Sequence, residues 1–292
     1  IFHSCEAMAD LTQYTIPDYL LIGHIAHDVT PEGPRLGGTV SYAAHTAIAF
    51  GLRVAILTSA AADEPLLADL PAEAQVLSIP AEHTTTFENL YHGWTRTQYM
   101  YHRAATLHPE HLPPAWTQAR LVHLGPLAYE VDPAMMGVFG DSPICVTPQG
   151  WMRHRAPDGL ISSIPWDGAE QVLPRATLTV LSREDIDHDP GLEHVFAQLA
   201  PLMVMTRAEL GGTLYQNGVA RDFPAQPADL VDPTGAGDIF ATTLHIALDR
   251  LGDLDRAILV ATRIAAISVT RAGLASAPTP EEVEQAWELY AS

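Results

Sequence analysis

The stretch VDPTGAGDIFATTLHIALDRLG, from Val231 to Gly252, joins a loop with almost no side chains to a strongly periodic segment. Its apolar residues recur at helical spacing, which predicts an amphipathic helix beginning close to Gly237. These stripe residues are Phe240, Leu244, Ala247, Leu248 and Leu251. Asp238 therefore falls in the first turn of a helix, directly behind a run of small residues.

A helix N-terminus exposes unbonded N–H groups and a partial positive charge, both of which favour an anion. Because Gly235, Ala236 and Gly237 are small, a phosphate can approach those N–H groups closely. Asp238 has two interpretations at this point. It either caps the helix, or acts as a general base beside groups that stabilise a transferred phosphoryl.

Outward from this stretch, short apolar strands alternate with helical segments. The predicted strands are DYLLIG (18–23), RVAILTSA (53–60), ARLVHLG (119–125), PICVTP (143–148), ATLTVLS (176–182) and PLMVMT (201–206). Helices are predicted at TVSYAAHTAIAFG (39–51) and GLEHVFAQLA (191–200). Such alternation predicts an α/β fold with a mostly parallel, doubly wound sheet and helices on both faces. The β-branched and aromatic interval 84–104 predicts an antiparallel hairpin turning at Gly93, with Trp94, Tyr99 and Tyr101 packed on one face.

Composition excludes several function classes. The net charge of −20 argues against a nucleic-acid partner, and no apolar run is long enough for a membrane span. All 15 basic residues are arginine, so a P-loop lysine and Schiff-base chemistry are both excluded. The two cysteines, Cys5 and Cys145, indicate neither a disulfide framework nor a metal quartet, and favour a cytoplasmic setting. Among the 14 histidines, the groups HIAHD (24–28) and HPEH (108–111) are expected to be surface histidines rather than metal sites.

Two signatures occur in the expected order along the chain. DPTGAGD (232–238) resembles the C-terminal signature of the ribokinase/pfkB carbohydrate kinase family, and LGGTVSYAAHTAIAFGLRVAILTSAAADE (36–64) resembles its N-terminal one. The helical tail VATRIAAISVTRAG (260–273) also fits, so the resemblance runs from about Tyr19 to the C-terminus. It implies a ribokinase-like fold and an ATP-dependent, Mg²⁺-requiring kinase acting on a hydroxyl group.

The resemblance also implies a domain organisation. A single ribokinase-like domain is expected over residues 15–292, with a small β lid contributed by about 24–36 and 84–104. Residues 1–14 are expected to form an N-terminal tail without a secretory signal, and Met8 is a candidate native start. A homodimer through the lid is common in this family, although the lid edge could equally be covered within the chain.

Residue roles on the acceptor side follow from the same resemblance. Asp238 is the expected catalytic base, and Gly235, Ala236 and Gly237 form the anion hole. Asp28, Gly37 and Gly38 match the residues that contact the sugar. Tyr42 departs from the family, which usually has asparagine there, and this puts ordinary sugar recognition in doubt.

The expected nucleotide side also departs from the family pattern. Its candidate residues are Ser182, Thr206, Gly211 and Thr262, with Asp185 as an Mg²⁺ contact through water. Ala208 stands where the family has glycine. A monovalent cation such as K⁺ is implied near Asp232.

TPQGWMR (147–153) follows a predicted strand, at the edge where ligands bind in open α/β sheets. Gln149, Trp151 and Arg153 are therefore candidate acceptor contacts, and Arg153 is either a clamp for a carboxylate or phosphate or an exposed loop residue. Together with LGGTVSYAA and TTTFEN, this motif is similar to inositol and general sugar kinases. The hypothesis is a kinase for a small sugar or cyclic polyol. The alternatives are a nucleoside kinase of the same fold and a catalytically silent ligand-binding member.

Overall fold

The computed structural model describes residues 11–92 and 95–290. The expectations placed on Cys5, Met8, Gly93 and Trp94 lie outside these residues. The strands of the described part are β1 Tyr19–Ile22, β2 Ala26–Thr30, β3 Gly33–Gly37, β4 Val54–Ala61, β5 Gln75–Ala81, β6 Thr86–His92, β7 Thr95–His102, β8 Leu121–Leu124, β9 Ile144–Val146, β10 Arg153–Arg155, β11 Ile161–Ser163, β12 Leu178–Ser182, β13 Leu202–Thr206, β14 Gly212–Gln216 and β15 Val219–Phe223. Its α-helices are α1 Thr39–Ala49, α2 Ala169–Val172, α3 Pro190–Leu199, α4 Ala236–Leu251, α5 Leu254–Ser268 and α6 Pro280–Tyr290.

A nine-stranded sheet forms the centre of the described chain, in the order β15-β14-β13-β12-β9-β8-β1-β4-β5. The run from β13 to β5 is parallel, whereas β14 and β15 form an antiparallel extension at one edge. This confirms the mostly parallel sheet. The β14–β15 hairpin was not predicted, and β8 and β9 are joined by the 3₁₀ turn Pro133–Gly137 rather than by an α-helix.

Both faces of the central sheet are covered, as the doubly wound arrangement requires. Tyr19 and Leu21 of β1 pack into one core with α1, α4, α5 and α6. Leu20 and Ile22 point the other way, into a second core with α2 and α3. Because side chains alternate along a strand, a strand buried on both faces has the uninterrupted apolar run that marked β1 in the sequence.

A separate four-stranded sheet has the order β3-β2-β6-β7. Its β6–β7 pair is the predicted antiparallel hairpin. Asp28 lies opposite Arg35 on one side and Phe87 on the other, so these side chains share a face. Phe87 packs with Leu127 and Ala128 from the loop after β8. This face of the small sheet is therefore turned toward the central sheet.

The outer edge of β7 is covered from within the chain. The N–H of Met100 donates to the Gly159 carbonyl at 2.8 Å, and Tyr99 forms a bridge with Leu160. Arg155 of β10 adds a side-chain hydrogen bond to the Met100 carbonyl at 2.6 Å. The outer edge of β7 is thus already paired within the chain. Dimerisation through the lid stays a prediction. Within residues 11–92 and 95–290, no helix combines the length and apolar character needed to cross a membrane.

Candidate functional site

Helix α4 begins at Ala236, as the periodicity predicted. Gly235 precedes it with φ +79°, a left-handed conformation that favours glycine. Within the described residues, no backbone carbonyl accepts a hydrogen bond from the N–H groups of Gly237 and Asp238. The preceding loop is held in place by Asp232, whose Oδ1 accepts from Thr234 N at 2.9 Å and whose Oδ2 accepts from Gly273 N at 3.2 Å. The result is a rigid turn presenting two N–H donors.

Asp238 is half-buried in the first turn of α4. Burial raises the pKa of its carboxyl to about 6, although a hydrogen bond from the Thr39 hydroxyl opposes that rise. The charge of Asp185 raises the pKa further, and that of Arg153 lowers it. Asp238 therefore interacts with residues contributed by the start of α1, the turn after β12 and the start of β10. A carboxyl with this pKa is mostly ionised at neutral pH and can accept a proton.

Tyr42 packs directly against the anion-hole loop. Its ring is 3% exposed, and a Cβ added to Gly235 would lie 2.4 Å from the ring carbon Cδ1. Burial raises the pKa of the Tyr42 phenol, and the carboxylates of Asp28, Asp238 and Asp232 raise it further. The phenol therefore stays protonated and can serve as a hydrogen-bond donor. The residue that departs from the family pattern thus lies among the predicted site residues.

The paired glycines allow two close approaches. A Cβ on Gly37 would lie 2.1 Å from Asp28 Oδ2, so only glycine leaves space for that carboxylate. Gly38 has φ +92°, and a Cβ there would lie 2.7 Å from the backbone oxygen of His24. Asp28, Gly37 and Gly38, predicted to act together, are therefore brought together by the β2–β3 pairing.

Two residues assigned to different partners form a direct contact. The Gln149 amide donates to Asp185 Oδ1 at 2.6 Å, while the N–H of Ser182 donates to Asp185 Oδ2 at 2.7 Å. Gln149 was expected on the acceptor side, and Asp185 on the metal side. The charge of Asp185 raises the pKa of Asp238, so the hydrogen-bonded pair of Gln149 and Asp185 lies close to Asp238.

The expected nucleotide residues are only partly assembled. Ser182 and Thr206 are neighbours at the carboxyl ends of β12 and β13. Gly211 has φ +86°, and a Cβ there would lie 2.1 Å from the Phe223 carbonyl oxygen. Thr262 lies on α5, where its hydroxyl donates to the Ile258 carbonyl of the same helix at 2.7 Å. Ala208, which stands where the family pattern has glycine, adopts φ +49°, in the left-handed region that favours glycine.

Arg153 is not an exposed loop residue. It is half-buried, its Nη1 donates to the Leu127 carbonyl at 3.1 Å, and its guanidinium lies 5.5 Å from the centre of the Phe87 ring. Trp151, by contrast, is fully buried, and its Nε1 donates to the Val131 carbonyl at 2.8 Å. Its interpretation as an acceptor contact is therefore wrong, because the ring is enclosed by the core.

Sequence reasoning missed other polar groups of this region. Asn89 and Gln98 are opposite one another on β6 and β7, and the Gln98 amide donates to Asn89 Oδ1 at 2.9 Å. They share the strand face of Phe87, with the usual alternation of two residues. Thr39 was also missed. Only the period-two pattern of the hairpin could have identified Asn89 and Gln98.

The expectation that the histidines lie at the surface is wrong for His24, which is fully buried. Its Nδ1 lies 2.6 Å from the Thr85 hydroxyl and its Nε2 lies 2.7 Å from the Ala105 carbonyl. Because a carbonyl only accepts, Nε2 carries a proton, and burial lowers the pKa of the imidazole, which favours the neutral form with Nδ1 accepting from Thr85. His123 and His245 are also buried, beside Tyr19. These histidines serve packing and hydrogen bonding.

Comparison with known proteins finds a family match over part of the chain and a similar kinase. Residues 175–282 match the pfkB family of carbohydrate kinases. A cytidine kinase of Thermococcus kodakarensis is 28% identical over 246 residues, covering 77% of this chain and 86% of that protein.

Two solved structures share the fold. A pyrophosphate-dependent kinase of the ribokinase family, complexed with a pyrophosphate analog and myo-inositol, superposes with a TM-score of 0.76 at 19% identity, covering 91% of this chain and 99% of that one. Arabidopsis thaliana ribokinase complexed with ribose and ATP gives 0.71 at 14% identity, covering 93% and 99%.

Proposed function

This chain is a member of the pfkB family of carbohydrate kinases, and from that premise we propose that it transfers the γ-phosphoryl of ATP to a hydroxyl of a small sugar or cyclic polyol. The observation that carries the proposal is the position of Asp238. Its carboxylate lies in the first turn of α4, next to two N–H groups without backbone acceptors in the described chain.

The base is Asp238. Its pKa of about 6 leaves it mostly ionised at neutral pH, yet basic enough to take a proton from an acceptor hydroxyl as the new bond to phosphorus forms. The Thr39 hydroxyl orients the carboxylate by hydrogen bonding to it. General-base assistance of this kind contributes about 10²- to 10⁴-fold to a rate.

Charge on the transferred phosphoryl is stabilised by the start of α4. The N–H groups of Gly237 and Asp238 are fixed donors, and the positive end of the helix dipole adds to them. Because phosphoryl transfer relies on positioning and electrostatics, the absence of lysine from the chain is no obstacle.

The acceptor site lies between the small sheet and the loop before α4. Asp28 accepts hydrogen bonds from hydroxyl groups, and the protonated phenol of Tyr42 donates one. The Asn89–Gln98 amide pair provides both donors and acceptors on the same sheet. Such a polar lining supports a polyhydroxylated acceptor, and the solved relative complexed with myo-inositol supports a polyol of that class.

On the donor side, the carboxylate of Asp185 fits a role in holding Mg²⁺ with ATP. Asp185 supplies a carboxylate close enough to Asp238 to raise its pKa, and Mg²⁺ is commonly held by one or two carboxylates together with substrate phosphates. When bound, the ion neutralises phosphate charge. Both Asp185 oxygens already accept hydrogen bonds, which supports contact through water rather than direct ligation. A K⁺ ion near Asp232 is a further proposal from family resemblance.

The test is a coupled turnover screen at equal acceptor concentrations of pentoses, hexoses, inositols, nucleosides and sugar acids. ATP with Mg²⁺ is one donor, and pyrophosphate is the other. We expect one acceptor to give turnover whose kcat/KM rises with pH through about 6, because the base must be deprotonated. Asp238→Asn should lower kcat by about 10³-fold.

Each alternative has a distinct outcome. Turnover with nucleosides alone would support a nucleoside kinase. Turnover that survives Asp238→Asn would exclude Asp238 as the base. ATP binding without turnover across the whole series would favour the silent ligand-binding member.

A further inference from the structure

A cavity of about 710 Å³ opens beside the small sheet, between β7, β10 and the loop after β8. Its volume is within the range of small-molecule sites. Six basic side chains line it, and no carboxylate of the described residues does. These side chains are Arg103, Arg153, Arg155, His83, His102 and His154, and together they define what we term the basic cavity.

Among the described residues, two arginines of the basic cavity, Arg103 and Arg155, donate to backbone carbonyls and take part in no ion pair with an acid. Arg103 donates from Nε to the Ala128 carbonyl at 2.7 Å and from Nη2 to the Tyr129 carbonyl at 2.8 Å. Arg155 donates to the carbonyls of Met100 and Tyr101 at 2.6 and 3.0 Å. Carbonyls orient a guanidinium but carry no net charge, so the positive charge remains available to an anion.

Eight other arginines of the described residues do form ion pairs, although Arg175, Arg250 and Arg263 also form none. The sequence has 35 acidic residues and 15 arginines, so acids outnumber arginines by more than two to one. Within the described part, ion pairs involve Arg35, Arg53, Arg120, Arg183, Arg207, Arg221, Arg256 and Arg271, but neither Arg103 nor Arg155. Collecting cations away from acids costs electrostatic free energy, which a bound anion would recover.

Arg153 connects the basic cavity to the catalytic region. It lines the cavity, lies over the Phe87 ring of the small sheet, and its charge acts on Asp238. The rest of the lining comes from the end of β7, from β10, from the loop after β8, and from His83 and Ile164, and it includes no residue of the expected nucleotide side. It therefore adjoins the acceptor side of the site.

We propose that the basic cavity binds an anionic substituent of the acceptor, a carboxylate or a phosphate monoester, so that the preferred substrate is an acidic sugar rather than a neutral polyol. This inference rests on the proposed kinase function and narrows its substrate class. Guanidinium groups bind both kinds of anion through paired N–H donors, and Arg155 and Arg103 are already oriented by backbone carbonyls.

The test uses three probes that share the six-carbon chain of glucose: D-glucose, D-gluconate and D-glucose 6-phosphate. Each is titrated into the full chain by calorimetry without any phosphoryl donor. We expect one anionic probe to bind at least about tenfold more tightly than glucose, because a guanidinium–anion contact contributes more than a neutral hydrogen bond. The better anion identifies carboxylate or phosphate as the group bound.

Arg155→Gln should abolish that preference and leave glucose binding unchanged. Arg155→Lys, which keeps the charge, should restore part of it. Arg175→Gln is the matched control, because Arg175 is exposed and lies outside the cavity. Equal affinity for all three probes, or an anion preference that survives Arg155→Gln, overturns the proposal; the latter would locate the anion at the start of α4.

Two further measurements keep the outcomes separate. The Tm of each variant without ligand reports folding, and Arg103→Gln replaces Arg155→Gln if the latter unfolds. Because the titrations contain no donor, anion binding through Arg155 supports the inference even if no phosphoryl transfer is ever found. Conversely, the protein could phosphorylate a neutral polyol and show no preference for an anionic probe. That result would support the kinase function and contradict this inference.

Discussion

At the scale of a single residue, Asp238 destabilises the fold that holds it. Burial raises its pKa from 3.8 to about 6, so above pH 6 the folded protein keeps a carboxylate ionised in a site that disfavours the charge. The unfolded chain solvates the same charge freely. The penalty is fully present above pH 6, shrinks as the pH falls through 6, and is absent below 3.8.

We therefore expect Asp238→Asn to stabilise the protein while it removes activity. The free energy of unfolding at pH 8 should rise by about 2 kcal/mol, since one pKa unit corresponds to about 1.4 kcal/mol and the remaining exposure reduces the effect. Urea unfolding at pH 8 and pH 5 measures it, with a smaller gain expected at pH 5.

Asp255→Asn is the control for this prediction. Asp255 occupies the first turn of α5, but a hydrogen bond from Arg221 lowers its pKa, so the substitution should lower stability rather than raise it. A loss of stability in both variants would show that Asp238 acts mainly as a helix-capping group.

At the scale of an element, the start of α4 depends on contact with α1. Gly235 and Gly252 flank the same helix with φ +79° and +61°, so alanine is strained at both positions. Only at Gly235 does the new methyl meet a neighbour, the Tyr42 ring at 2.4 Å. Gly235→Ala and Gly252→Ala therefore share the cost of backbone strain, and only Gly235→Ala adds a steric clash.

We expect Gly235→Ala to destabilise the protein by about 2 kcal/mol more than Gly252→Ala, because overpacking a core contact costs about 1–3 kcal/mol. Chemical unfolding of both variants gives the difference. Adding Tyr42→Ala to each should shrink that difference. If Gly235→Ala and Gly252→Ala prove equally stable, Tyr42 does not constrain the anion-hole loop.

At the scale of the whole molecule, a buried polar network joins the two sheets. Glu130 is fully buried and accepts hydrogen bonds from the N–H groups of His24, Leu127 and Ala128. His24 in turn bonds to Thr85 and Ala105, which flank the hairpin of the small sheet. The small sheet is thus attached through a charged carboxylate at the carboxyl end of β1.

Glu130→Gln should lower the free energy of unfolding by about 3 kcal/mol, because an amide NH₂ would face N–H donors where a carboxylate now accepts. Burial raises the Glu130 pKa, but the backbone N–H donors of His24, Ala128 and Leu127 outweigh it and hold that pKa below 4.5. Its stabilisation is therefore present above pH 4.5 and lost as the pH falls through the lowered pKa.

Urea unfolding from pH 8 down to pH 3 measures this effect, because the loss is expected below pH 4.5. The exposed Glu284 of α6 provides the control substitution Glu284→Gln, for which little change is expected. A Glu130→Gln variant as stable as the wild type at pH 7 would mean that the network contributes no net stability.

Local patterns in the chain were enough for much of the fold. The periodicity after Gly237 located the start of α4, the apolar runs located the parallel strands, and the β-branched interval located the β6–β7 hairpin. These signals depend on residues a few positions apart, which interact through backbone geometry alone. The β14–β15 hairpin was missed, because its exposed second strand has no apolar run to mark it.

The sequence by itself determined the α/β class and the grouping of Gly235, Ala236, Gly237 and Asp238, since these four are adjacent in the chain. Only the tertiary structure decided that Gln149 bonds Asp185, that Tyr42 lies against Gly235, and that Arg103 and Arg155 line one cavity. Such contacts join residues 36 to nearly 200 positions apart. Their geometry follows from how strands and helices pack, and no local spacing encodes it.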